Sequence, residues 1–93
     1  MLTKVKNALR LTVNNYDAEL AIMISAALAD LGIVGIDDAL LVDTTTDPLI
    51  TQAVITYCRL HFGTPEDYDR LKASYDEQKA QMITATGYGI EAV

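Results

Sequence analysis

The sequence has no tryptophan, one phenylalanine, one cysteine, one histidine and two prolines among its 93 residues. Each scarcity removes a class of function. With Cys58 alone there is no internal disulfide to form, and a reducing cytoplasm is the natural setting. Cys58 and His61 stand three apart, the spacing of half a zinc site on a helix, but no second pair completes the set, so both are read as structural. Basic residues are also scarce. Seven Lys and Arg against thirteen Asp and Glu leave a net charge of −6, and the basic residues are scattered, which argues against gripping nucleic acid by phosphate neutralisation. The longest apolar region, residues 20–34, is interrupted by Ser25, Asp30 and Gly32 and falls short of a membrane span. Met1-Leu2 is followed by Lys4 and Lys6 with no apolar core or cleavage site behind them, so no signal peptide is expected and the protein is read as soluble.

The same shortages bear on catalysis. A hydrolase needs a nucleophile with a positioned base or paired carboxylates in a cleft, and one histidine with no serine in a strained glycine-rich turn meets neither demand. Gly32 and Gly35 lack a following Gly-Lys-Ser/Thr and read as a helix stop, not a phosphate loop. Glu66, Asp67 and Asp69 read as complements to a helix dipole before they read as a cation site. The five tyrosines are read as packing residues, not as a stacking platform for bases, because the basic residues near them are outnumbered by acidic ones and would leave a groove that repels phosphate. No catalytic, cofactor-binding or metal-binding residue is therefore assigned, and no enzyme is expected.

What the chain does have is aliphatic bulk: 51% hydrophobic residues with almost no large aromatics. That favours helix-on-helix packing in one small domain, residues 1–86, followed by a tail over 87–93. The organising stretch is residues 47–86, two helices joined at the corner Phe62-Gly63-Thr64-Pro65. Asp47-Pro48 is a start signal, because the carboxylate can accept from free amides and the proline fits a first turn that needs no N–H. The first of the two helices, residues 47–62, puts Ile50, Ala53, Val54, Tyr57, Cys58 and His61 on a core face, with Gln52, Thr56 and Arg59 opposite. In the second, Tyr68, Leu71, Tyr75 and Met82 form a thinner stripe, and Glu66 with Arg70 and Asp69 with Lys72 are spaced as ion pairs. Gly87 and Gly89 close it, leaving Tyr88 and Ile90 beside the end of the chain.

Earlier in the chain, Leu2, Val5 and Leu9 predict a short amphipathic helix that Thr3 is placed to cap. Asn14-Asn15 breaks it, and a further helix follows over residues 16–31 with Asp17 and Glu19 in its first turn. Residues 36–46 are connecting material in which Leu40-Leu41-Val42 suits a short strand or a turn of helix. The expected fold is all-α, a bundle of about four helices with a central irregular loop. The helix over 16–31 is unusual. Leu20, Ala21, Ile22, Met23, Ile24, Ala26, Ala27, Leu28 and Leu31 cover almost every direction around its axis, where a lone surface helix shows one stripe. Either it is wrapped by its own bundle, or part of it faces another subunit. Leaving two or three large aliphatic side chains in water forgoes about 1.5 to 3 kcal/mol each, comparable to the whole stability margin of a small domain. On that ground Ile22, Ile24 and Leu28 are the candidates for a subunit contact.

The run Leu-Thr-Lys-Val-Lys-Asn-Ala-Leu-Arg-Leu over residues 2–11, then Asp17-Ala18-Glu19-Leu20 opening an apolar helix, resembles the start of phage head-tail connector proteins. These are also called adaptor, head-completion or DNA-packaging proteins. Pro48-Leu-Ile-Thr-Gln-Ala-Val-Ile-Thr-Tyr with His61-Phe62-Gly63, and the acidic-basic run of residues 67–79, are similar to that family's later helices. The likeness spans nearly the whole chain. It implies a homo-oligomeric ring in the virion neck, a dodecamer being one expected assembled form, built in the host cytoplasm beneath the portal protein and receiving the next neck or tail-completion protein. It implies DNA only as passing cargo, no membrane and no cofactor. It also implies portal docking through Met82, Tyr88 and Ile90, with the 36–46 loop at the lumen or the tail side. The competing reading is a small acidic helical regulatory or inhibitor protein that binds one basic protein partner.

Overall fold

The computed structural model describes residues 1–33, 35–36, 38–42, 45, 47–62 and 66–84. Among them are four α-helices, α1 (Leu2–Leu9), α2 (Asp17–Ile33), α3 (Pro48–His61) and α4 (Tyr68–Thr84), with a 3-10 turn at Asp38–Leu40. The all-α bundle agrees with the aliphatic composition. The corner at residues 63–65, the closing glycines at 87 and 89, and Tyr88 and Ile90 lie outside the described residues.

The helix ends show why these residues fold as they do. At the start of α3 the Asp47 carboxylate accepts from the Leu49 and Ile50 amides at 2.9 and 3.2 Å, with Pro48 in the first turn. At the end of α2, Gly35 adopts φ +100, its N–H donates to the Gly32 carbonyl at 3.1 Å, and the Ile36 N–H donates to the Leu31 carbonyl at 3.2 Å. This is a Schellman ending, and its hydrophobic pair is Leu31 and Ile36, both 0% exposed. The same pattern closes α1, with Arg10 at φ 60 donating to Asn7 and Leu11 donating to Lys6. Here a residue with a Cβ occupies the left-handed position that glycine usually takes.

Some details differ from the sequence reading. Thr3 does not cap α1, because the helix already begins at Leu2 and its cap, Met1, makes no side-chain cap bond. Asn14 meets α2 through its carbonyl, which accepts the Asp17 N–H, while its side chain accepts from Lys6 at 2.6 Å.

The interior is built around α3, which packs against α1, α2 and α4. Its Ile50, Ala53, Val54 and Cys58 join Leu20, Ile24, Ala27 and Leu31 of α2, Val5 of α1, Ile36, and Tyr75 and Met82 of α4. Being covered on several sides, α3 buries more of its circumference than one stripe. Thr56, expected outside, is 3% exposed, and its hydroxyl is satisfied by donating to the Gln52 carbonyl at 2.9 Å. Leu60 is also buried, whereas His61, expected inside, is exposed in the last turn and packs against Tyr57 with centroids 4.3 Å apart and ring planes tilted by 46°. Tyr16, just before α2, meets Phe62 edge-to-face at 5.2 Å, and the Arg59 guanidinium donates to the Ala8 carbonyl at 3.3 Å. The start of α2 and the end of α1 are thereby held at the end of α3.

On α4, Tyr75 and Met82 point inward while Tyr68 is exposed. Its ion pairs are Arg70 with Asp67, Lys72 with Asp76 at 2.8 Å and Lys79 with Asp76 at 3.8 Å. These replace the expected pairs of Arg70 with Glu66 and Lys72 with Asp69. Lys72, Tyr75 and Lys79 line one cleft with Asp30 of α2, a carboxylate that no spacing rule within α4 includes.

Candidate functional site

α2 has one inward side and one that the described residues leave open. Leu20, Ile24, Ala27 and Leu31 recur at spacings of four, three and four and pack inward. At 3.6 residues per turn, Ala18, Ala21, Ile22, Ser25, Leu28, Ala29, Gly32 and Ile33 then occupy an outward arc of about 140°. None of these residues carries a charge, since the charged residues of α2 are Asp17, Glu19 and Asp30, all outside the arc. Ile22 is 71% exposed and Ile33 82%. Burying each fully would contribute about 1.5 to 3 kcal/mol, a gain this fold leaves unrealised.

The arc is concave between its two isoleucines. Ser25, Leu28, Ala29, Gly32 and Ile33 line a shallow depression that Leu41 completes from the connection to α3. Leu2 of α1 closes a second hollow with Ala21, Ile24, Ser25 and Leu28. Ser25 and Leu28 are common to both, so the hollows form one groove along the helix. Small side chains at Ala18, Ala21, Ser25, Ala29 and Gly32 make the groove low enough for a neighbouring helix to approach closely.

Of the residues singled out in the sequence, Ile22 stands fully on this surface and Leu28 is half-buried at the groove floor. Ile24 is 3% exposed and belongs to the core, touching the groove only from beneath. Met82 is 1% exposed, with its side chain among the core residues. Ile33 is not among the residues expected from the sequence, which reads Gly32 and Gly35 as the stop after residue 31, whereas α2 runs through Gly32 to Ile33. The signal was present: Ile33 follows Ser25 and Ala29 at helical spacing. Leu2 and Leu41 carried no such signal, since only the tertiary fold brings them to the groove.

A polar clamp fixes how α2 sits against α4. The Tyr75 hydroxyl donates to Asp30 Oδ2 at 2.6 Å, and Lys79 Nζ reaches the same oxygen at 3.2 Å. Lys79 also lies 4.7 Å from the centroid of the Tyr75 ring. Burial pushes the Asp30 carboxyl up, but the bonds from Tyr75 and Lys79 outweigh it and the net shift is below the usual aspartate value. Tyr75 is pushed well above the ordinary tyrosine value, by burial first and then by the bond to Asp30. The clamp is therefore carboxylate with phenol at neutral pH. Burial also raises the Cys58 thiol to about 11, leaving it unreactive in the core.

Among the described residues no group of three or more His, Cys, Asp or Glu side chains is placed to hold a metal ion. No helix among them is long and apolar enough to cross a membrane. The surface chemistry on offer is burial of the open side of α2. In comparisons with known proteins, a family model described as phage connector protein matches residues 1–89. No curated protein and no solved structure matches the chain.

Proposed function

Since the chain belongs to the phage connector protein family, we propose that it is a head-tail connector whose copies close into a ring beneath the portal of a tailed phage or prophage. The observation that carries this reading is the uncharged arc of α2. Chains of net charge −6 repel one another except where charge is absent, and this arc supplies such a place together with unburied Ile22 and Ile33. A contact between this arc and a different patch on the next copy repeats by rotation, and a rotation that closes gives a ring. The excess of acidic side chains suits a lumen through which DNA passes without being gripped. The next neck component would be received on the face away from the portal. Docking to the portal is assigned to the end of the chain, Tyr88 and Ile90. Ile83, 47% exposed, adds to that site, and Met82 serves as the buried anchor of the last turn of α4.

The test is light scattering over a concentration series, with and without purified portal protein. Assembly of the wild type, alone or on the portal, is expected. The Ile22→Glu, Ile33→Glu double variant should keep its helical circular dichroism and fail to assemble. Monomer under every condition, or a double variant that assembles as the wild type does, would overturn the proposal.

A further inference from the structure

Asp30 lies about 130° around α2 from the middle of the uncharged arc, and there it forms the floor of a second, chemically different cleft. Tyr57, Leu60 and His61 of α3 and Tyr68, Lys72, Tyr75 and Lys79 of α4 form its walls. The rings are contiguous. Tyr57 packs against His61 at 4.3 Å with the ring planes tilted by 46° and meets Tyr75 edge-on at 5.4 Å, while Tyr68 stands 45% exposed at the rim.

The charges decide what such a cleft accepts. Lys72 donates to both oxygens of Asp76 at 3.0 and 2.8 Å, and Lys79 is held by Asp30 at 3.2 Å with Asp76 3.8 Å away. The two ammonium groups are thus offset by two carboxylates, and an incoming anion would have to pull a lysine from its partner. A cation breaks neither pair; it lies near both ammonium groups, and the two carboxylates with the acidic excess of the chain offset that repulsion. Both bonds to Asp30 fall on Oδ2, and among the described residues Oδ1 accepts none. That carboxylate is about a third exposed, and the chain around it is net negative.

We propose that this cleft is a receptor for an arginine side chain of a basic protein partner. The planar guanidinium packs against the exposed rings of His61 and Tyr68 while donating to Asp30 Oδ1. A lysine offers a point charge without the flat face and binds less well. This contact lies off the α2 arc, so it does not use the apolar surface assigned to assembly.

The test titrates capped tri-arginine, tri-lysine and tri-glutamate peptides into the full-length protein and follows backbone amide shifts by NMR. With tri-arginine, shifts are expected at Asp30, at residues 57–61 and at residues 68–79, with weaker binding of tri-lysine and none of tri-glutamate. Tyr68→Ala removes a rim side chain that the fold does not bury, and should weaken tri-arginine binding about fivefold. His61→Ala, also exposed, should weaken it in the same direction. The Ile22→Glu, Ile33→Glu variant should bind as the wild type does, which separates this site from the assembly surface. Equal affinity in the Tyr68→Ala variant, shifts spread over the acidic surface, tri-glutamate in the cleft, or no shifts there at all would overturn the proposal.

Discussion

Replacing Tyr75 with Phe deletes one oxygen and leaves the ring in place, so it isolates the bond that ties α4 to α2. The hydroxyl donates at 2.6 Å to Asp30, which is ionised at neutral pH. A hydrogen bond to a charged group contributes about 1.5 to 3 kcal/mol. Asp30 keeps Lys79 as a partner and its side chain is 32% exposed, so water replaces part of what is lost. The low end, about 1.5 kcal/mol, is therefore expected. For a domain of this size that lowers Tm by about 6 to 12 °C. The pH dependence identifies the origin of the loss. Asp30 has a folded pKa below its unfolded value of about 3.9, so its stabilisation is present above that pH and fades as pH falls through the folded value. Tyr75 has a raised folded pKa, so its contribution is full below about 10 and is lost as pH climbs past it. Urea unfolding followed by far-UV circular dichroism should therefore show a gap between wild type and variant at pH 7 that narrows below about pH 4. Above about pH 10 the wild type should also lose stability more steeply than the variant. A gap under about 0.5 kcal/mol at pH 7, or one unchanged in strong acid, would refute the reasoning.

Three other outcomes follow from the helix ends and the core. Arg10→Gly relieves about 1 to 2 kcal/mol of left-handed strain against about 0.4 to 1 kcal/mol of added unfolded-state entropy. The urea midpoint should rise slightly with Gly at that position and not with Ala. Asp47→Ala removes the cap of α3 and should cost about 1 kcal/mol by the same measurement; an unchanged midpoint would count against the cap. Cys58, with its thiol pushed up to about 11 by burial, should resist a thiol-specific disulfide reagent at pH 8 while folded and react once unfolded. Rapid labelling of the native chain would contradict its place in the core.

Local signals carried much of the fold. Asp47-Pro48 marked the start of α3 and Gly35 the end of α2, because a cap is chemistry among residues a few positions apart. The inward stripe of α2 was not legible, since apolar residues surround its axis and Ile24, expected at a subunit contact, is in the core. Faces of α3 were harder to read, since Thr56 and His61 exchanged places once helices packed on several sides of it. The ion pairs of α4 are still local, but Arg70 and Lys72 choose Asp67 and Asp76 over Glu66 and Asp69, because several carboxylates stand at helical spacing from each. Among them only Lys79 reaches Asp30, far away in sequence. The open arc of α2 was half legible: its excess of apolar residues showed in composition, but a wheel that sets Ile22 and Ile24 on opposite sides does not say which of the two a neighbouring helix covers.

Composition alone determined that this chain forms an acidic, aliphatic helical bundle, because it holds little else from which a core or a reactive site is built. Caps and stops set where its helices begin and end. Tertiary structure decided which side of α2 is left open and brought Leu2 and Leu41 to its groove. It also decided that Asp30, Tyr75 and Lys79 meet, because contacts between distant segments depend on how helices cross, and no local spacing encodes that.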